Sequence, residues 1–136
     1  APLFERALRI WERIYGPDNL ALTADLSNLG NCYEWLKREK EAETIFLRAL
    51  SIDEKNLPGD SLDLASDRHN LGMLYTFTKR YGEAVPLLQK ALEVRIKALG
   101  PRNVDTQSTL TNYVLALRHL GRNEEAYEIE KRIPGQ

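Results

Sequence analysis

The amino-acid sequence predicts an all-α fold of about seven helices that stack as antiparallel pairs. Apolar residues recur at helical spacing, and no segment alternates as a strand does. The chain also repeats itself: Asn28–Ala42 (NLGNCYEWLKREKEA) matches Asn70–Ala84 (NLGMLYTFTKRYGEA) and Asn112–Ala126 (NYVLALRHLGRNEEA). The period is 42 residues in both steps (70 − 28 and 112 − 70). A fixed period of this kind is typical of helical repeat proteins.

Clusters of Pro and Gly separate the repeats, because these residues end helices and form turns. They occur at Gly16-Pro17, Pro58-Gly59 and Gly100-Pro101. Between them we expect helices at 2–15, 20–37, 39–56, 62–79, 82–98, 104–120 and 123–133. The predicted organisation is one domain, 1–136, in which 1–19 is the second helix of a truncated repeat, 20–61 and 62–103 are full repeats, and 104–136 is a shortened one.

Both ends of the chain predict an incomplete array. The sequence begins at Ala1 and its only methionine is Met73, so we expect a piece of a longer protein. Pro134-Gly135 should stop the last helix early. The helix at 2–15 carries Phe4 and Trp11 and has no preceding partner helix in the sequence. An uncovered helix of this kind leaves self-association through the terminal helices open.

The helix pairs resemble tetratricopeptide repeats. Small residues at Gly30 and Ala42 allow two helices to approach closely, Tyr33 fills the wedge beside them, and Ala49 lies late in the second helix. The family's usual unit has 34 residues, and a 42-residue unit is similar to the repeats of kinesin light chains. The resemblance covers essentially the whole chain, although Val114 stands where the other repeats have glycine. It implies a right-handed superhelical solenoid that binds other proteins.

Composition and motifs argue against several function classes. The net charge of −1 disfavours nucleic-acid binding, and no apolar run is long enough to span a membrane. His69 and His119 lie in different repeats and fit no metal-ligand spacing. Cys32 lies in an apolar stretch and is interpreted as a packing residue. We therefore expect no enzymatic activity, no cofactor and no metal, and we expect a cytoplasmic location.

One face of the first helix of each repeat carries polar amides. A helix turns about 100° per residue, so four positions of each helix lie close together and away from the apolar core face. We call these positions the amide stripe; they are Ala24, Asn28, Asn31 and Trp35, then Ser66, Asn70, Met73 and Phe77, then Ser108, Asn112, Leu115 and His119. In stacked helical repeats the first helices line the concave surface, so the amide stripe is expected to face a groove.

The amide stripe predicts peptide binding, because asparagine both donates and accepts hydrogen bonds as a peptide backbone does. In the resembling families, equivalent asparagines line the peptide-binding groove. The absence of cations at the small end of the stripe argues against a clamp for a C-terminal carboxylate. The predicted contacts to an extended or short helical peptide are Asn28, Asn31, Trp35, His69, Asn70, Phe77, Asn112 and Arg118.

Other interpretations of these residues and of the chain remain open. The asparagines could bond to neighbouring backbone, and Trp35, Met73, Phe77 and Leu115 could be core between repeats. The chain could also be a structural spacer, a self-associating array, or a regulatory segment of a larger multidomain protein.

Overall fold

The computed structural model describes residues 2–133 and consists there of α-helices joined by short turns. The Pro134–Gln136 segment, on which the early end of the last helix was predicted, lies outside the described residues. Seven helices are present within 2–133, in the number and order expected from the sequence. They are α1 (Pro2–Tyr15), α2 (Thr23–Trp35), α3 (Glu39–Asn56), α4 (Leu62–Phe77), α5 (Tyr81–Leu99), α6 (Val104–His119) and α7 (Asn123–Arg132).

The chain divides into two compact units, Ala1–Gly59 and Asp60–Gln136. In the first unit, α2 packs against α3 and α1 packs against α2. In the second unit, α4 packs against α5, α5 against α6 and α6 against α7, and α4 also contacts α6. We refer to α2, α4 and α6 as first helices and to α1, α3, α5 and α7 as second helices.

In each repeat, one polar side chain caps the start of the first helix or of the short turn before it, and the three capping residues are 42 residues apart. Asn19 accepts a hydrogen bond from the amide of Ala21 and starts a short 3-10 turn, Leu20–Leu22, before α2. Ser61 and Asn103 cap α4 and α6, with Asn103 Oδ1 2.9 Å from the amide nitrogen of Asp105. These caps bond amides that have no partner inside the helix, which fixes where each first helix begins.

The turn between the two helices of each repeat also follows the period. Its key residue has a left-handed backbone: φ is +64° at Lys37, +65° at Lys79 and +78° at Gly121. The next residue, Arg38, Arg80 or Arg122, forms an ion pair with a glutamate three residues on. The left-handed residue reverses the chain, so the second helix lies antiparallel to the first.

A glycine on the first helix holds the two helices of a full repeat close together. Gly30 lies against the ring of Phe46, and Gly72 lies against Leu88. A Cβ at Gly72 would be 2.8 Å from Leu88 Cγ, which is too close for unstrained packing. This close approach is the reason that small residues recur at these positions.

Candidate functional site

In the first unit, α2 presents its part of the amide stripe to solvent. Asn28, Asn31 and Trp35 are all exposed, and the Trp35 side chain is 85% exposed. Within residues 2–133 no hydrogen bond holds the two asparagine amides. This placement contradicts the alternative in which Trp35 is core between repeats. It leaves the donors and acceptors of Asn28 and Asn31 accessible for a ligand.

In the second unit, Asn70 and Phe77 of α4 also remain accessible. Asn70 is partly exposed, and in the described part of the chain its amide makes no hydrogen bond. Phe77, the last residue of α4, is 63% exposed, so it too is not core. Met73 between them is half-buried. The α4 part of the stripe therefore combines an accessible amide with an apolar end.

Among Asn28, Asn70 and Asn112, only Asn112 on α6 has a side-chain hydrogen bond to the backbone within residues 2–133. Its Nδ2 lies 3.0 Å from the carbonyl oxygen of Ser108, one turn earlier in the helix. This bond uses one donor of the amide and orients the side chain, and the carbonyl oxygen Oδ1 stays available as an acceptor. Asn112 is partly exposed, as is Asn70 at the equivalent position of α4.

His69 does not lie on the accessible surface, and its predicted role in ligand selection is revised. Its side chain is buried, with 8% exposure, and its Nδ1 lies 3.1 Å from Thr109 Oγ1 on α6. Burial, followed by the nearby Arg95 guanidinium, lowers the pKa of His69 to about 4, although Asp105 acts in the opposite direction. The imidazole is therefore neutral at pH 7 and helps to join α4 to α6.

Arg95, on second helix α5, is a residue of this region that the sequence interpretation missed. Its guanidinium is 7% exposed and joins three helices: Nη1 bonds to Thr109 Oγ1 (2.7 Å) and Asp105 O (3.2 Å), and Nη2 bonds to Ser66 Oγ (3.3 Å). Ser66 belongs to the amide stripe, so a buried cation lies beneath the small end of the stripe. No repeated pattern indicated Arg95, because the equivalent positions of the other repeats hold residues of a different kind, Asp53 and Trp11.

Within residues 2–133 no carboxylate oxygen lies within 4.0 Å of the Arg95 guanidinium. Burial lowers the pKa of Arg95, and the Asp105 charge partly offsets this effect. The hydrogen bonds use three of the five N–H groups of the guanidinium. This charge is therefore held by neutral oxygens, and two of its donors have no partner in the described chain.

Arg118, the other predicted selectivity residue, lies at the surface of α6. It forms an ion pair with Glu130 of α7, and both side chains are about half exposed. The pair borders a cavity of about 350 Å³ that Leu115 and Ile133 also line. A ligand carboxylate at Arg118 would have to compete with Glu130 for the guanidinium.

The far end of the stripe in the second unit is aromatic. The His119 ring stacks on Tyr81 of α5, with ring centroids 4.4 Å apart and planes 2° apart. Leu115 is exposed on the same helix, one turn before His119.

The described residues contain no group of three or more His, Cys, Asp or Glu side chains that could hold a metal. Among them, no helix is both long and apolar enough to cross a membrane.

The paired helices, the glycine contacts and the repeated turns are the features of a tetratricopeptide array, and comparison with known proteins agrees. The tetratricopeptide repeat family model matches residues 2–55, 21–97 and 63–132. The chain therefore belongs to the tetratricopeptide repeat family. Arrays of this family are typically non-enzymatic and mediate protein–protein interactions.

Solved structures of kinesin light chain-type repeats are similar to this chain. BtubC (BKLC) from P. vanneervenii is 24% identical over 96% of this chain and 53% of its own, with a TM-score of 0.82. A protein of Podosopora anserina with kinesin light chain nearly identical TPR-like repeats is 20% identical over 97% of this chain and 63% of its own, with a TM-score of 0.76. No curated protein matches the chain. This chain thus spans between half and two thirds of the solved chains, and the likeness shows the fold.

Proposed function

We propose that this chain is a non-enzymatic protein-binding module that holds an extended or short helical peptide along its first helices, in the concave groove expected of stacked helix pairs. The observation that carries the proposal is the accessibility of the stripe asparagines. Asn28 and Asn70 keep their full hydrogen-bonding capacity, and Asn112 keeps its acceptor. Polar groups that are ordered by a helix and lack internal partners suit the alternating donors and acceptors of a peptide backbone.

Exposed aromatic side chains next to the asparagines support the same proposal. Trp35 and Phe77 follow Asn28 and Asn70 by seven residues, two helical turns on the same face. Aromatic residues often supply most of the binding energy of an interface, because they bury a large area with few rotatable bonds. We assign backbone contacts to the asparagines and side-chain selection to the aromatics.

The α4–α6 part of this face favours an acidic ligand residue. The Arg95 guanidinium lies beneath Ser66, has no ion pair within the described residues and has two unused donors. His69 is neutral and adds no charge. We therefore expect bound peptides to place Asp or Glu near Ser66, and we expect affinities on the order of micromolar for one short peptide. We place this activity in the cytoplasm.

Peptide display tests the proposal directly, because it needs no named partner. Random 12-residue peptides selected on the unaltered protein supply the probes. Asn70→Ala and Asn112→Ala should each weaken binding by about fivefold, the worth of one hydrogen bond. Asn123→Ala, at the exposed start of α7, is the matched control and should leave binding unchanged. Melting curves of all variants accompany the binding data.

Two results would reject the groove. One is a fall in melting temperature for Asn70→Ala and Asn112→Ala with unchanged peptide affinity, which would make the amides structural. The other is equal weakening by the Asn123→Ala control. An absence of Asp and Glu enrichment among the selected peptides would reject only the acidic-residue part of the proposal.

The structure also favours a second candidate function, self-association through α1. This helix exposes an apolar face that includes Leu3, Ile10, Trp11 and Ile14. Ile14 follows Ile10 by four residues and Trp11 by three, and Leu3 precedes Ile10 by seven, so they share one side of the helix as in helix pairing surfaces. The mass in solution, measured over a hundredfold range of concentration, should rise if α1 pairs between copies. A monomer at every concentration would exclude it.

A further inference from the structure

Arg95 keeps free hydrogen-bond donors on one edge of its guanidinium. Both N–H groups of Nη1 are used, by Thr109 Oγ1 and by the carbonyl oxygen of Asp105, and Nη2 donates one to Ser66 Oγ. The unused N–H groups belong to Nε and Nη2, which are neighbours in the guanidinium plane. Within residues 2–133 Nε has no partner, and it is not an enclosed atom, so it reaches solvent. A carboxylate can accept from both groups at once.

His69 belongs to the same cluster and also has a free ring nitrogen. Its Nδ1 and Arg95 Nη1 contact one oxygen, Thr109 Oγ1, at 3.1 and 2.7 Å. The two nitrogens are therefore at most about 6 Å apart, a range over which one charge shifts the pKa of another group. In the described chain His69 Nε2 has no hydrogen-bond partner, and it too reaches solvent. An anion bound at Arg95 thus acts on the charge of His69.

The charges around His69 oppose its protonation as long as Arg95 has no counterion. Burial and then the Arg95 guanidinium of α5 lower the pKa of the imidazole, and Asp105 of α6 offsets only part of this. An anion on Arg95 would neutralise the repelling guanidinium. It would also attract an imidazolium directly. Proton binding at His69 and anion binding at Arg95 should therefore favour each other.

We propose that an acidic ligand residue held by Arg95 binds together with a proton that His69 takes up, so that binding strengthens as the pH falls. This inference rests on the acidic-residue part of the proposed function and adds its regulation by pH. The Arg95 edge holds the ligand carboxylate, and the protonated His69 provides a second positive charge beside it. Thr109 joins the two groups and keeps them close.

The size of the effect follows from proton linkage. The free protein has a His69 pKa of about 4, and we expect the bound anion to restore a value near the ordinary 6.5. Between these two values only the complex carries the proton, so lowering the pH favours the complex. Affinity should then rise about twentyfold from pH 7 to pH 5. Below pH 5 the gain ends, because ligand carboxylates begin to protonate themselves.

Sulfate is a suitable first probe, because it stays fully ionised over this pH range and needs no peptide. NMR titration of the full chain follows both imidazoles in sodium sulfate and in sodium chloride at equal ionic strength. The pKa of His69 should rise from about 4 in chloride to about 6 or above in sulfate. His119, at the surface, reports general effects of the salt and should titrate alike in both.

A carboxylate placed next to Arg95 should imitate the bound ligand. Ser66 Oγ lies 3.3 Å from Arg95 Nη2, so Ser66→Asp should pair with the guanidinium and raise the pKa of His69 in chloride. Sulfate should then have no further effect. Ser108→Asp makes the same charge change at the equivalent position of α6 and is the matched control. Melting temperatures confirm that both variants fold.

Display-selected peptides that carry an aspartate extend the test to the groove. Their affinity should rise as the pH falls from 7 to 5, and matched peptides with asparagine should show no such rise. His69→Gln should abolish the rise without abolishing binding.

An unchanged His69 pKa in sulfate and in Ser66→Asp, or an equal rise in Ser108→Asp, would overturn the inference. Peptides that bind through Asn70 and Asn112 with no dependence on pH would reject proton uptake and leave the proposed function standing. A response to sulfate with no Asp or Glu among the selected peptides would overturn the acidic peptide as the ligand.

Discussion

Lowering the pH should destabilise the second unit through His69. The buried imidazole has a pKa of about 4 in the folded protein, against 6.5 in the unfolded chain. Above pH 6.5 the ring is neutral in both states and carries no penalty. Between pH 6.5 and 4 the unfolded chain binds the proton and the folded one does not, so stability falls as the pH falls. The pKa difference of about 2.5 corresponds to on the order of 3 kcal/mol in the free energy of unfolding, of which about 2 kcal/mol is lost between pH 7 and pH 5.

The environment of His69 explains why protonation is resisted. Burial removes water from the ring, and the Arg95 guanidinium from α5 repels a second positive charge. Thr109 Oγ1 bonds to both His69 Nδ1 and Arg95 Nη1. Asp105 from α6 supplies a negative charge that offsets only part of this. A protonated His69 would thus place two cations around one hydroxyl.

Denaturant unfolding at pH 7.5, 6.0 and 5.0 measures the effect. His69→Gln should flatten the dependence on pH over this range, because glutamine does not titrate. His119→Gln, which removes the surface imidazole, is the matched control and should keep the wild-type dependence. If wild type and His69→Gln lose the same stability between pH 7.5 and 5.0, His69 is not the responsible group. An imidazole titration above pH 6 assigned to His69 by NMR would refute the reasoning as well.

Three further predictions concern the repeated structural positions, and thermal and denaturant unfolding checks each of them. Gly72→Ala should lower the free energy of unfolding by roughly 1–3 kcal/mol, because the added Cβ overlaps Leu88. A change below about 0.5 kcal/mol would show that α5 shifts to accommodate the methyl group at little cost. Lys79→Gly should raise the free energy of unfolding by roughly 0.5 kcal/mol, because glycine adopts the left-handed backbone at position 79 without strain. Lys90→Gly inside α5 is the control and should lower it by about 1 kcal/mol. If both variants are destabilised, Lys79 is not strained. Asn103→Ala should cost about 1 kcal/mol through loss of the α6 cap, and unchanged stability would mean that water replaces the bond.

The helices and their order could be read from the sequence because both signals are local. Helical spacing of apolar residues and the turn residues between them depend on neighbours a few positions away. The expected helix at 20–37 was the least accurate, since Leu20–Leu22 form a 3-10 turn and α2 ends at Trp35. The left-handed residue at Lys37 ends α2 and was not anticipated, because lysine rarely adopts that backbone.

The candidate site was predicted less completely. Placing Asn28 with Trp35 on one face of α2, and Asn70 with Phe77 on one face of α4, needed only the turn of a helix, and the structure shows these side chains accessible. Whether they contact a peptide stays a prediction. His69 is adjacent to Asn70 in sequence, yet it points toward α6 and is buried. One helical residue turns the side chain by about 100°, so neighbours in sequence can lie on opposite sides of an interface.

The sequence by itself determined the repeat length, the paired helices and the face on which the asparagines lie. Only the tertiary structure decided which polar side chains meet between helices. Arg95 reaches Ser66, and His69 meets Thr109, across helix contacts that no periodicity encodes. A helix fixes the direction of each side chain relative to its own axis. What that side chain contacts depends on the packing of helices that are distant in sequence.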